Sequence, residues 1–144
     1  MVSTGDLMAR NVSILVVDDE EDIQEVLREI LEPEGYAVTA AKSGSEALAA
    51  LKQDRGFSLV LLDFRLHDIS GFDFVAAVGG ELLGKVPVVM LSATAGLKQL
   101  KLPPGVVGAI CKPFDIEELL EAVQRYIRGS SPDIPSLRDF PEVS

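Results

Sequence analysis

Short apolar runs that end abruptly in acid constrain this chain more than any other feature. Ser13-Ile14-Leu15-Val16-Val17 leads straight into Asp18-Asp19-Glu20, and Ser58-Leu59-Val60-Leu61-Leu62 leads into Asp63. A strand with one wet face alternates apolar and polar residues; a strand covered on both faces has no polar side to show and reads as an unbroken apolar run. Strands of that kind belong to parallel sheets clad in helices, and the charge marks where the carboxyl end leaves the core. In open α/β sheets ligands bind at that edge. Carboxylates gathered there repel one another, and a divalent cation between them removes the repulsion.

The remaining text alternates in the same way. From Glu20 to Glu32, Ile23, Val26, Leu27, Ile30 and Leu31 recur at helical spacing, and Pro33 and Gly35 stop the helix. Tyr36 to Ala41 reads as a second strand. Ser43-Gly44-Ser45-Glu46 has the capping-box pattern and opens a helix through Leu51. After the third strand, Ser58 to Leu62, a polar loop containing Gly71 leads to a helix around Phe72 to Val78, which Gly79-Gly80 should end. Val86 to Leu91 and Val106 to Cys111 are the fourth and fifth strands. Asp115 caps a last helix whose buried face is Ile116, Leu119, Leu120, Val123 and Ile127. The crossover between the last two strands is unusual: residues 95–102 are few, and Pro103-Pro104-Gly105 ends any helix begun there. That helix should be one or two turns long. Five strands alternating with helices predict one parallel sheet with right-handed crossovers.

The domain plan is a short extension over 1–10, one domain over 11–128, and a Pro/Ser-containing tail or linker over 129–144. A chain of 144 residues, 47% of them hydrophobic, suffices for one core. The net charge of −10 and the lack of a basic stripe argue against direct nucleic-acid binding. A single cysteine, Cys111, excludes an internal disulfide, and its apolar neighbours predict a buried, inert thiol. No signal peptide or membrane insertion is expected, so the cytoplasm is the expected location.

Chemistry concentrates at the strand ends. The first strand contributes Asp18 and Asp19, the third Asp63, the fourth Ser92 and the fifth Lys112, and in a parallel sheet all of these share one edge. Acids, a hydroxyl and an ammonium are the parts of a phosphoryl-transfer site. A carboxylate can attack phosphorus to form an aspartyl phosphate. Mg²⁺, content with carboxylates and water, screens it from the incoming charge. Hydroxyl and ammonium then serve the other phosphoryl oxygens.

Ile14-Leu15-Val16-Val17-Asp18-Asp19-Glu20, Leu59-Val60-Leu61-Leu62-Asp63 with Gly71 downstream, Leu91-Ser92-Ala93 and Cys111-Lys112-Pro113-Phe114, in that order, resemble the receiver domain of two-component response regulators over roughly residues 11 to 128. The resemblance implies an α/β fold, a flavodoxin-like doubly wound (βα)5 sheet in the order 2-1-3-4-5, here with a shortened fourth helix. It further implies that Asp63 accepts a phosphoryl group from a histidine kinase or a histidine phosphotransfer protein. Asp18, Asp19, Asp63 and the backbone carbonyl of Arg65 would hold Mg²⁺. Ser92 would move toward the phosphoryl group, Lys112 would pair with it, and the Lys112–Pro113 bond would be cis.

Three positions depart from the family pattern. Ala109 stands where an aromatic switch residue is usual, His67 where proline is usual, and the fourth helix is stunted. A receiver-like interaction module with phosphorylation-independent or atypical output is therefore an alternative. A phosphatase of the haloacid-dehalogenase type fits less well, since it needs a second acid where Arg65 stands. His67 is read as a solvent-facing loop residue rather than a metal ligand, because an imidazole does not suit Mg²⁺. Arg65 is either simply exposed or a shield for the acyl phosphate. With no DNA-binding module expected after residue 128, the chain reads as a stand-alone regulator or a receiver from a larger protein such as a hybrid kinase.

Overall fold

The structure, a computed structural model, describes residues 12–53, 56–83, 86–93 and 101–129. Five strands form one parallel sheet: β1 (Ser13–Val17), β2 (Ala37–Ala41), β3 (Phe57–Asp63), β4 (Val88–Ser92) and β5 (Val106–Cys111), in the spatial order β2-β1-β3-β4-β5. Four helices among the described residues connect and cover them: α1 (Glu21–Leu31), α2 (Gly44–Gln53), α3 (Gly71–Leu83) and α4 (Ile116–Gly129). The predicted sheet order is the observed one.

The pleat explains why the central strands read as continuous apolar runs. Leu15 and Val17 of β1, Val60 and Leu62 of β3, and Val88 and Met90 of β4 face α2 and α3, where they meet Ala47, Leu51, Phe74 and Val75. Their alternates Ile14, Val16, Leu59, Leu61, Val89 and Leu91 face α1 and α4, against Leu27, Leu31, Leu119 and Val123. Each such side chain withdrawn from water contributes about 1.5–3 kcal/mol before entropy is counted. Edge strand β2 has a wet side, with Ala37 and Thr39 exposed, and so carries a weaker pattern.

Helix ends were predicted unevenly. After α1, a 3₁₀ turn (Glu32–Glu34) ends at Gly35, whose φ of 97° is the left-handed conformation glycine adopts without penalty. Gly79 and Gly80 do not end their helix, contrary to expectation: both stay helical and α3 runs on to Leu83. A glycine stops a helix only where the chain takes the left-handed turn, and nothing in the dipeptide demands it. β4 begins at Val88 rather than Val86. Most of the crossover predicted to be stunted (residues 94–100), the N-terminal extension and the tail beyond residue 129 lie outside the described residues. Within 101–105 the chain is irregular, and Gly105 turns with a φ of 92° into β5.

The capping box at α2 forms with a shift. Ser43 Oγ accepts the Glu46 N–H at 3.1 Å, and the Glu46 carboxylate reaches back to the Lys42 N–H at 2.8 Å. The free N–H groups of Gly44 and Ser45 are taken by Asp68, from the loop after β3, at 3.0 and 3.2 Å. This tie fastens that loop to a helix start more than twenty residues earlier in the chain. The N–H of Gly44 above all, with that of Ser45, holds the Asp68 carboxyl below the usual carboxylate range. A lowered pKa means the folded state favours the carboxylate, so the contribution is complete above the ordinary carboxylate pKa and fades as pH falls through the lowered value. Asp68→Ala is expected to cost about 1 kcal/mol at pH 7, the usual worth of a capping carboxylate. In denaturant melts the wild-type advantage should shrink as pH falls below the ordinary carboxylate pKa of about 4.

Candidate phosphoryl-acceptor site

Sheet register assembles the site. Val17 is level with Leu62, so Asp18 at the tip of β1 stands beside Asp63 at the tip of β3. Asp63 is level with Leu91, and Ser92 with Cys111, which carries the edge on through Ser92 to Lys112. Backbone bonds extend the ladder past the strand ends: Phe64 N–H to Leu91 O at 2.8 Å, Lys112 N–H to Ser92 O at 2.7 Å, and Asp18 N–H to Ala41 O at 3.0 Å. Gly71 is required by close approach, since a Cβ there would lie 2.9 Å from Met90 Sδ and 3.1 Å from the Asp63 carbonyl oxygen. The start of α3 thus presses directly on the end of β3.

Asp18 (0% exposed), Asp63 (7%) and Ser92 (3%) are the buried polar side chains among the described residues. Asp18, Asp19 and Asp63 each offer an oxygen within 4.8 Å of the others. Lys112 Nζ lies 2.7 Å from Asp18 Oδ2, 3.5 Å from Asp63 Oδ2 and 3.7 Å from Glu20 Oε1. The Arg65 N–H donates to Asp63 Oδ1 at 3.2 Å, and the Glu20 N–H to Asp18 Oδ1 at 2.9 Å. A cleft of about 300 Å³ opens over this group, lined by Asp19, Asp63, Arg65, Ser92 and Lys112 among others. Every predicted site side chain reaches this one place. The Lys112–Pro113 bond is cis.

The charges do not balance. One ammonium faces Asp18, Asp63 and Glu20, with Asp19 alongside. Burial above all, then the Asp18 charge, raises the Asp63 carboxyl above its usual range, against the Arg65 N–H and Lys112. Burial pulls Lys112 down, but its bond to Asp18 and the surrounding carboxylates outweigh this and leave it raised, hence charged at neutral pH. The excess negative charge, held on hard oxygen donors, fits a cation such as Mg²⁺.

The departures also take physical form. His67 is exposed, with Nδ1 3.6 Å from Asp19 Oδ2, so the loop reading holds, at the edge of the acid group. Ala109 packs against the α2–α3 side of the core. Cys111 is half-buried rather than buried, because β5 is an edge strand whose tip is only partly covered. Two tethers had no signature in the reading of the sequence: Asp68 on the start of α2, and Gln24, whose amide reaches the Asp18 and Ala41 carbonyls. An Asp or Gln with such a role looks like any polar loop or helix residue.

Residues 14–124 match the response regulator receiver domain family. The chain belongs to that family. The receiver is 39% identical over 129 residues to an uncharacterized transcriptional regulatory protein, YkoG, of Bacillus subtilis, covering 88% of this chain and 56% of that protein. It spans about half the length of the first curated relatives it matches. Among solved structures it resembles the chemotaxis response regulator CheY4 of Vibrio cholerae, with a TM-score of 0.73 and 31% identity over 80% of this chain and 98% of that one. It also resembles TrrA of Thermotoga maritima, solved in complex with Mg²⁺-BeF, with a TM-score of 0.71 and 30% identity, covering 80% and 98% of the two chains. The receiver is a signalling domain of two-component systems, whose members work with histidine kinases or phosphotransfer proteins. Among the described residues, no helix is long and apolar enough to cross a membrane.

Proposed function

We propose that this receiver takes a phosphoryl group onto Asp63 from a histidine kinase or histidine phosphotransfer protein. The observation that carries this reading is the meeting of Asp18, Asp19, Asp63 and Lys112 in one cleft. Asp63 is the nucleophile: an Oδ–P bond forms as the P–N bond of the donor phosphohistidine breaks, and the imidazole leaves with the electron pair as a neutral ring, its other nitrogen carrying the proton it already held. Asp18, Asp19, Asp63 and the Arg65 carbonyl would hold Mg²⁺, which when bound offsets the charge of the transferring group. The Lys112 ammonium, now on Asp18 and near Asp63, serves the phosphoryl oxygens as a point charge, and the Ser92 hydroxyl serves another. Hydrolysis of the acyl phosphate then resets the domain without turnover of an external substrate.

Residues 11–128 act as the receiver and 129–144 as a tail or linker, working in the cytoplasm through a protein partner. The acidic balance supports a partner other than nucleic acid for this part of the chain. Incubation with acetyl phosphate and Mg²⁺ should add one phosphoryl group to the intact mass, and chelation of Mg²⁺ should prevent it. An unmodified mass under both conditions would overturn the reading.

A further inference from the structure

The Asp18–Asp19 peptide carries two of the three carboxylates and follows the last residue of β1, where the sheet ladder holds it by the Asp18 N–H alone, so its carbonyl side needs another support. Asp18 itself is held at every polar atom: its N–H on Ala41 O, Oδ1 on the Glu20 N–H, Oδ2 on Lys112, and its carbonyl on Gln24. Gln24 Nε2 donates to Asp18 O at 2.7 Å and to Ala41 O at 3.0 Å. Two carbonyl acceptors require the amide's NH₂ end, which has two hydrogens to give, so the orientation of the amide is decided by chemistry. The Gln24 N–H in turn bonds Glu20 O at 3.2 Å, rooting the side chain in the first turn of α1.

We propose that Gln24 is a positioning residue for the metal-binding acids, and that it acts by clamping the tip of β1 to the tip of β2. The proposal rests on the receiver reading above. The carbonyl of Asp18 lies in the same rigid peptide plane as the Asp19 nitrogen, so its bond to Gln24 sets the direction in which the Asp19 carboxylate leaves the chain. Asp19 is the most exposed of the three acids and the one whose placement burial constrains least. Mg²⁺ demands near-octahedral geometry at short distances, so a small swing of one ligand is felt as lost affinity. Ala41 O accepts from both Gln24 and the Asp18 N–H, which joins the two strand tips through a single atom.

The test compares wild type with Gln24→Met, which keeps length without a donor, and Gln24→Arg, which restores a donor fork. Mg²⁺ affinity is read by calorimetry, the Mg²⁺ dependence of adduct formation from acetyl phosphate by intact mass, and metal-free stability by melting. Gln24→Met should weaken Mg²⁺ binding roughly tenfold, as loss of a supporting hydrogen bond behind a ligand does. It should raise the Mg²⁺ needed for half-maximal adduct by a similar factor while leaving the rate at saturating Mg²⁺ close to wild type. Gln24→Arg should recover most of the affinity. If wild type binds Mg²⁺ and takes the phosphoryl group but Gln24→Met keeps its affinity within twofold, the positioning role is overturned and the receiver reading stands. An affinity lost equally in Gln24→Arg also overturns it. A wild type that neither binds Mg²⁺ nor forms the adduct overturns both.

Discussion

Asp63→Asn is expected to take up no phosphate from acetyl phosphate and Mg²⁺ under conditions where the wild-type receiver is converted. The amide matches the carboxylate in size and still accepts the Arg65 N–H at Oδ1, so the cleft should survive, but its oxygen carries no charge with which to attack phosphorus. An adduct on the variant equal to that on wild type would move the acceptor elsewhere and sink the assignment. The same variant should be more stable than wild type in the absence of Mg²⁺ at neutral pH. Burial and the Asp18 charge raise the Asp63 carboxyl, so the folded state holds its proton more tightly than the unfolded chain does. Wild type therefore loses stability as pH rises from the ordinary carboxylate range through that raised value, and Asn, which does not titrate there, loses none. Denaturant melts in EDTA at rising pH, starting from the ordinary carboxylate pKa of about 4, should show the gap opening with pH. A gap that closes as pH rises would contradict the charge assignment.

Lys112→Met should cost the metal-free protein about 3 kcal/mol, the usual penalty for stripping one partner from a buried ion pair. Asp18 is fully buried, and its carboxylate has Lys112 at 2.7 Å on one oxygen and the Glu20 N–H at 2.9 Å on the other. With the ammonium gone, one N–H remains to offset a buried charge that also faces Asp63. Methionine fills much the same space as the lysine stem, so the loss is electrostatic rather than a cavity. Saturating Mg²⁺ should restore most of the stability, because a cation among the same carboxylates replaces the lost positive charge. Chemical denaturation with and without Mg²⁺ checks both halves; a loss below about 1 kcal/mol would show that solvent, not Lys112, carries the Asp18 charge.

The central strands were legible because burial on both faces leaves their middles unbroken apolar runs, with polar residues only toward the ends. β1 and β5 lie where the apolar runs place them, and the acids, Ser92 and Lys112 follow strand ends in plain view. The order of the sheet was legible only through family resemblance, since no local pattern states that β1 sits between β2 and β3. Gly79-Gly80 misled for a related reason. Glycine permits a left-handed turn but does not compel one, and the choice depends on the surroundings of α3. His67 and Asp68 look alike on the page as polar loop residues. In the fold one stands exposed beside Asp19 and the other fastens the loop to the start of α2.

By itself the sequence determined which apolar runs form the central strands and which chemical groups follow them, because these follow from local hydrophobic period and chain direction, whereas Ile116, placed by its spacing on a buried face, is 55% exposed. Tertiary structure alone decided the partnerships. Lys112 lies against Asp18, 94 residues away in the chain, and is less close to Asp63. Gln24 holds the peptide bearing the acids, and Asp68 serves a helix start on the neighbouring α2. The reason is physical: a periodic pattern reports the face a residue turns to the core, whereas the atom it meets there is set by sheet register and helix packing summed over the whole domain.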